Sequence, residues 1–345
     1  MLIERAHISR PLHQLAAVLV AGLVILGISS GAAAQERLKG RLAISTHTLA
    51  HAPAYLARGL NFFEREGINI EVQVVSGVVA AQALSGGSVE FNVDSPSTLA
   101  RMVERGLDVL NVQGEVSSLS MNLIVRREVA QRKQVTPQSP LEARLQALRG
   151  LTIGITTPGA AGDAYTRILL KQAGIDPLRD ANIVQIGSAD GLLAALKTAK
   201  IDAFMLSAPN PEKGEKEGFG VILIRNSAGD VPIFRQFMHT SLSVRREYAR
   251  ANPEAVRRTT RAIARGINLI LDQPEEAKRA LLRDFKVEPD LLSRSMDNLA
   301  PAYRRNGRMD EETWRKTIEV FVQGGVISKP LDPREGVFWT NEYLP

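Results

Sequence analysis

Leu151-Thr152-Ile153-Gly154-Ile155-Thr156-Thr157-Pro158-Gly159-Ala160-Ala161-Gly162 reads as an apolar strand that runs into a loop of hydroxyls and small residues. A helix follows, ending at Lys171-Gln172-Ala173-Gly174-Ile175. The same order occurs earlier, as Leu42-Ala43-Ile44, a polar loop, and a helix ending near Arg58-Gly59-Leu60-Asn61-Phe62-Phe63-Glu64-Arg65-Glu66-Gly67-Ile68. Each copy continues with a second strand (residues 70–75 and 182–186), a short helix rich in small residues (80–84 and 192–197) and a third strand (89–93 and 201–205). The copies close at Asp94-Ser95-Pro96 and Ser207-Ala208-Pro209. A βαβαβ unit present twice predicts an α/β protein of two lobes, each a mostly parallel sheet flanked by helices. Parallel neighbours require long right-handed crossovers, and these cover both faces of the sheet.

Working outward, residues 123–126 (Leu-Ile-Val-Arg) form a strand expected to carry the chain from the first lobe to the second, and residues 240–244 (Thr-Ser-Leu-Ser-Val) to carry it back. The lobes are then predicted to close by a hinge near these two strands. Beyond them the pattern is helical. Asn252-Pro253-Glu254 places an N-cap, a proline and an acid in helix-opening order, and Gln273-Pro274-Glu275 opens another helix. Further helices are expected over residues 289–305 and 310–323, completing the first lobe. The predicted domains are a leader over 1–34, a first lobe from 35–122 and 238–345, and a second lobe over 123–237. The polar, proline-rich residues 131–140 read as an exposed insertion.

At the N-terminus, Arg5 and Arg10 precede an uncharged apolar run over residues 15–28, followed by Ala32-Ala33-Ala34. This is the three-part pattern of a cleaved secretory signal peptide, and the 14-residue run falls short of the roughly 20 needed to span a bilayer. No Arg-Arg pair precedes the run, which favours the Sec route, and the absence of cysteine excludes a lipid-anchored form. The expected location is therefore the periplasm. Zero cysteines also remove disulfides, thiol nucleophiles and cysteine metal sites. The formal charge is +6, and loss of residues 1–34 discards two arginines and one glutamate to leave +5. Its basic residues alternate with acids along the C-terminal helices, a solvated face rather than a nucleic-acid footprint. No Gly-x-Ser-x-Gly elbow, P-loop or Gly-x-Gly-x-x-Gly fingerprint occurs, so no catalytic residue and no cofactor is assigned.

Several segments together resemble a known family, the periplasmic substrate-binding proteins of ABC transporters for nitrate, sulfonates, taurine and related compounds, of the NMT1/THI5-like group. They are Pro53-Ala54-Tyr55-Leu56-Ala57-Arg58-Gly59 with Phe62-Phe63 and Glu66-Gly67-Ile68, then Leu148-Arg149-Gly150-Leu151, and finally Asn252-Pro253-Glu254 with residues 268–277. The resemblance implies a type II periplasmic-binding-protein fold with a ligand cleft between the lobes. It also implies a monomer that takes a small polar or anionic molecule (a sulfonate, nitrate, taurine, a carboxylate or a pyrimidine-like compound) to a permease driven by a separate ATPase. Two alternatives stay open. One is an enzyme similar to the thiamine-pyrimidine precursor synthase, although the cysteines of its motif are missing here. The other is a ligand receptor that serves a sensor.

Ligands of open α/β sheets bind beyond the carboxyl ends of the strands, where loops lead into helix N-termini. In the first lobe that places Thr46, His47, His51, Ser76, Gly77, Asp94 and Ser95 at the cleft, and in the second Thr156, Thr157, Gly159, Ala160, Ser188, Asp190 and Ser207. Residues 156–162 are expected to hold a polar or anionic group through backbone N–H groups at the start of the following helix. Thr46, His51, Ser76 and Asp94 are expected to contact the rest of the ligand. Each feature has a plainer reading: Ser and Thr commonly cap helices, Thr157-Pro158-Gly159 makes a tight turn, and Asp163 suits a first helical turn. An acid facing the cleft, Asp94 or Asp190, disfavours a purely anionic ligand. His47 and His51 lie four apart but without the glutamate of a zinc-protease helix, so no metal is assigned. His239 is read as packed at the hinge.

Overall fold

The computed structural model describes residues 37–345, and the expected leader lies outside them. Ten strands form two five-stranded sheets. The first comprises β1 (Leu38–Ile44), β2 (Ile68–Val74), β3 (Phe91–Asp94), β4 (Val109–Val116) and β10 (Thr240–Arg245), in the order β2-β1-β3-β10-β4. The second comprises β5 (Met121–Arg126), β6 (Thr152–Ile155), β7 (Asn182–Gln185), β8 (Ala203–Ser207) and β9 (Gly220–Ile224), in the order β7-β6-β8-β5-β9. In each sheet the first three positions are the strands of one βαβαβ copy, paired in parallel. The fourth is antiparallel to both neighbours. Central β3 and β8 are buried throughout, as expected for strands covered on both faces, and so is β4 at one edge, whereas β7 at another edge is not.

Residues 123–126 and 240–244 are not the crossing segments. Leu123, Ile124, Ser241 and Leu242 are fully buried, each within an antiparallel strand paired on both sides, β5 in one sheet and β10 in the other. A strand bonded on both sides within one sheet does not bridge the two, so the chain crosses earlier, through residues 117–120 and 225–239. The two crossings are bonded to each other, Leu119 N–H donating to Phe234 O at 3.1 Å and Phe237 N–H to Ser117 O at 3.2 Å.

The helices that matter for the cleft are α1 (Ala52–Gly59), α2 (Gly77–Ser85), α3 (Pro96–Glu104), α4 (Ala161–Gln172) and α5 (Ala189–Lys197). The long helix α6 (Pro253–Asp272) lies against α1 at Gly266, where a Cβ would stand 2.5 Å from Pro53 O. Only glycine permits that approach. Asn252 does not cap this helix. Its side chain donates to Tyr248 O at 3.2 Å, closing the preceding short helix instead. Helix α7 (Glu311–Gly324), assigned from sequence to the first lobe, packs on α4 of the second: Trp314, Ile318 and Phe321 share a core with Tyr165, Ile168 and Phe237. Lys171 Nζ donates to Gly324 O at 2.8 Å. Its apolar face is large and aromatic, and the surface exposed by α4 is what matches it. Residues 131–140 are exposed apart from partial shelter at Val135, Pro137 and Ser139.

A buried polar group stands out in the first sheet. Glu115 on β4 is 1% exposed, and neither carboxylate oxygen has a hydrogen-bond partner among the described residues. Burial pushes its carboxyl up to about 8, so it is a neutral acid at pH 7. Among the described residues no helix is long and apolar enough to cross a membrane.

Candidate ligand site

The carboxyl ends of β1, β3, β6 and β8 face one another across the two sheets. The loops that leave them enclose an inner chamber of about 30 Å³. An outer vestibule of about 270 Å³ shares Ser45, Thr46 and Thr156 with it. Thr46, His51, Gly77, Asp94, Ser95, Thr156, Ala160 and Ser207 line the chamber. His47, Ser76, Ser188 and Asp190 line the vestibule. Thr157 and Gly159 line neither.

Thr157 and Gly159 are drawn into a local turn. Gly159 has φ +83°, its N–H donates to Asp163 Oδ2 at 2.8 Å, and its carbonyl accepts from Arg101 Nη1 of α3 at 2.7 Å. Thr157 O accepts from Ala160 N–H at 3.1 Å, closing a turn. The loop expected to offer backbone donors to an anion has thus given its Gly159 donor to the chain's own carboxylate. Asp163 is itself only 5% exposed and paired with Arg167 at 2.6 Å.

Asp94 ends β3 and is 2% exposed. It lies against the first residue of α2: a Cβ on Gly77 would stand 3.1 Å from Oδ2 and 3.2 Å from Oδ1. Burial drives its carboxyl up to about 6, against the opposing pull of the neighbouring Ser45 and Thr98 hydroxyls and the Ser95 backbone N–H. Oδ2 has no hydrogen-bond partner among the described residues. His51 shares the chamber, its Nε2 3.2 Å from Ser45 Oγ and its Nδ1 buried without a partner among the described residues. Burial lowers its pKa to about 3, so the ring is neutral. His239 is neutral for the same reason. Its Nδ1 stands 3.0 Å from Ser120 Oγ, which is 2.8 Å from Ser207 Oγ. That chain joins both crossing segments to the end of β8, so His239, read from sequence as packed at the hinge, sits at the end of the second crossing and in the chamber wall.

Two of the serines cap helices and also line the cavities. Ser95 caps α3 by accepting from Ser97 N–H at 3.2 Å, and Ser188 caps α5 by accepting from Gly191 N–H at 3.1 Å. Ser95 Oγ also meets the Tyr165 hydroxyl of α4, a direct bond between the two halves of the cleft. At the mouth, His47 stacks on Phe285 with centroids 4.5 Å apart and meets the Tyr55 edge at 5.4 Å. His47 thus lines the vestibule and His51 the chamber. Asp190 accepts from Asn210 Nδ2 at 3.3 Å. Met121, Leu206 and Thr240 also line the chamber, and sequence reasoning did not find them. Met121 and Thr240 open the two strands that follow the crossings, and no local pattern marks them.

Residues 41–282 match the family model described as the NMT1-like family. The riboflavin-binding protein RibY of Chloroflexus aurantiacus is 28% identical over 312 residues, covering 85% of this chain and 82% of that protein. Among solved structures, a protein from Bordetella bronchiseptica RB50 superposes with a TM-score of 0.77 at 20% identity, covering 89% of this chain and 96% of that one. The periplasmic aliphatic sulphonate binding protein SsuA from Escherichia coli does so with a TM-score of 0.65 at 16% identity, covering 89% and 99%. At such identities the structural likenesses show a shared fold.

Proposed function

Because the chain belongs to the NMT1-like family, we propose that it is an exported solute-binding protein that captures a small polar organic molecule between its lobes and delivers it to an ABC transporter permease. The observation that carries this reading is the polar chamber walled by strand-end loops of both sheets, with Ser95 bonded to Tyr165 and Arg101 to Gly159 across it. Such a site can exist only with the two halves closed, so ligand binding and closure are one event and the closed form is what a permease would distinguish. Export rests on the leader pattern of residues 1–34 and fits the periplasmic setting of the SsuA relative. The synthase-like alternative has no support from these residues, since the chain has no cysteine.

Thermal-shift screening of the purified protein tests the reading. The compounds are sulfonates, carboxylates, nitrate, pyrimidines, amines, amidines and, prompted by the RibY relative, riboflavin. A true ligand at 100 times its Kd adds about 2.7 kcal/mol to stability. A protein stabilised by none of these solutes is not the receptor proposed.

A further inference from the structure

We infer that this cleft selects a ligand whose leading group is an N–H donor without negative charge, a protonated amine or amidine or a neutral imide or lactam, and that Asp94 is the residue that specifies it. The inference rests on the solute-receptor reading above. In this architecture an anion is held where a strand-end loop feeds a helix N-terminus, and here a carboxylate of the chain's own stands beside each of two such positions. Asp94 stands against the first residue of α2, its oxygens 3.1 and 3.2 Å from where a Cβ on Gly77 would be, and Asp163 accepts from the Gly159 N–H ahead of α4. Neither the chamber nor the vestibule includes a lysine or arginine among its lining residues, while the vestibule adds a third carboxylate, Asp190.

Two polar atoms at the chamber are left unpaired. Asp94 Oδ2 and His51 Nδ1 are both buried at the chamber and both lack a hydrogen-bond partner among the described residues. An unpaired buried carboxylate oxygen costs the free protein stability, and a ligand N–H recovers it. A sulfonate or nitrate would instead bring a second negative charge into contact with the first. Gly77 belongs to the same device, since any side chain there would press on the carboxylate.

The test is a thermal-shift and calorimetric comparison on the purified protein with three charge classes of probe: alkylamines and amidines, neutral imides and lactams such as uracil and riboflavin, and the anions ethanesulfonate, acetate and nitrate. The expected result is binding from the first or second class and none from the third. Asp94→Asn should then weaken a cationic ligand by about 10- to 100-fold, and a neutral imide by about 10-fold or less, because the amide oxygen still accepts. The variant without ligand should melt no lower than wild type, which a merely structural role for Asp94 would not produce. If Asp94→Asn does not fold, Gly77→Ala serves in its place and should weaken the same ligands. An anion that binds wild type and retains its affinity in either variant overturns the inference and leaves the receptor reading intact. Failure of every class sinks both.

Discussion

Glu115→Gln should make the protein more stable at neutral pH, and increasingly so as pH rises. The carboxyl is 1% exposed, has no hydrogen-bond partner among the described residues and is pushed up to about 8. An ordinary glutamate in the unfolded chain titrates near 4.3. Between those values the folded state holds a proton that the unfolded state has lost, so stability falls as pH rises through the window. The slope is about 1.4 kcal/mol per pH unit, which places the handicap near 4 kcal/mol at pH 7. Glutamine has the same shape and does not titrate, so whatever its amide costs in that site is constant with pH and cancels from the slope. Urea denaturation of both proteins at pH 5, 6, 7 and 8 should give a stability difference that widens steadily in favour of the variant. A difference independent of pH would refute the claim that Glu115 is neutral when folded.

Thr157→Ala should leave ligand affinity unchanged within about twofold, because the side chain lines neither chamber. Gly159→Ala should instead cost about 1–2 kcal/mol of stability, since φ is +83° and the new methyl would stand 3.1 Å from Arg101 Nη1; calorimetric binding and melting curves on both variants separate the two effects. Gly266→Ala should destabilise by about 1–3 kcal/mol through overpacking of α6 on α1, read by denaturant titration, and unchanged stability would mean that the helices separate without cost.

Much of this protein was legible from residues close in sequence. The paired βαβαβ copies specify three adjacent parallel strands in each sheet, because short apolar runs alternating with helices admit few other arrangements. They also place the strand-end loops, and with them Thr46, His51, Asp94, Thr156 and Ser207 of the chamber. Both follow from local periodicity and the direction of the chain. Tertiary structure decided everything that depends on which distant surfaces meet. Strands β5 and β10 carry the right composition for a crossing, yet each is claimed by two neighbours more than 70 residues away or by the sheet from which the chain had already departed. Helix α7 has an aromatic face that many surfaces would accept, and in the fold it meets α4, Phe237 and the C-terminal Phe338 and Trp339. The carboxylates are the plainest case. Asp94, Asp163 and Glu115 are alike in sequence, but one meets the chamber, one closes a turn and one is sealed inside a sheet. A charge takes its role from its desolvation and its partners, and both are set by residues that sequence proximity does not reveal.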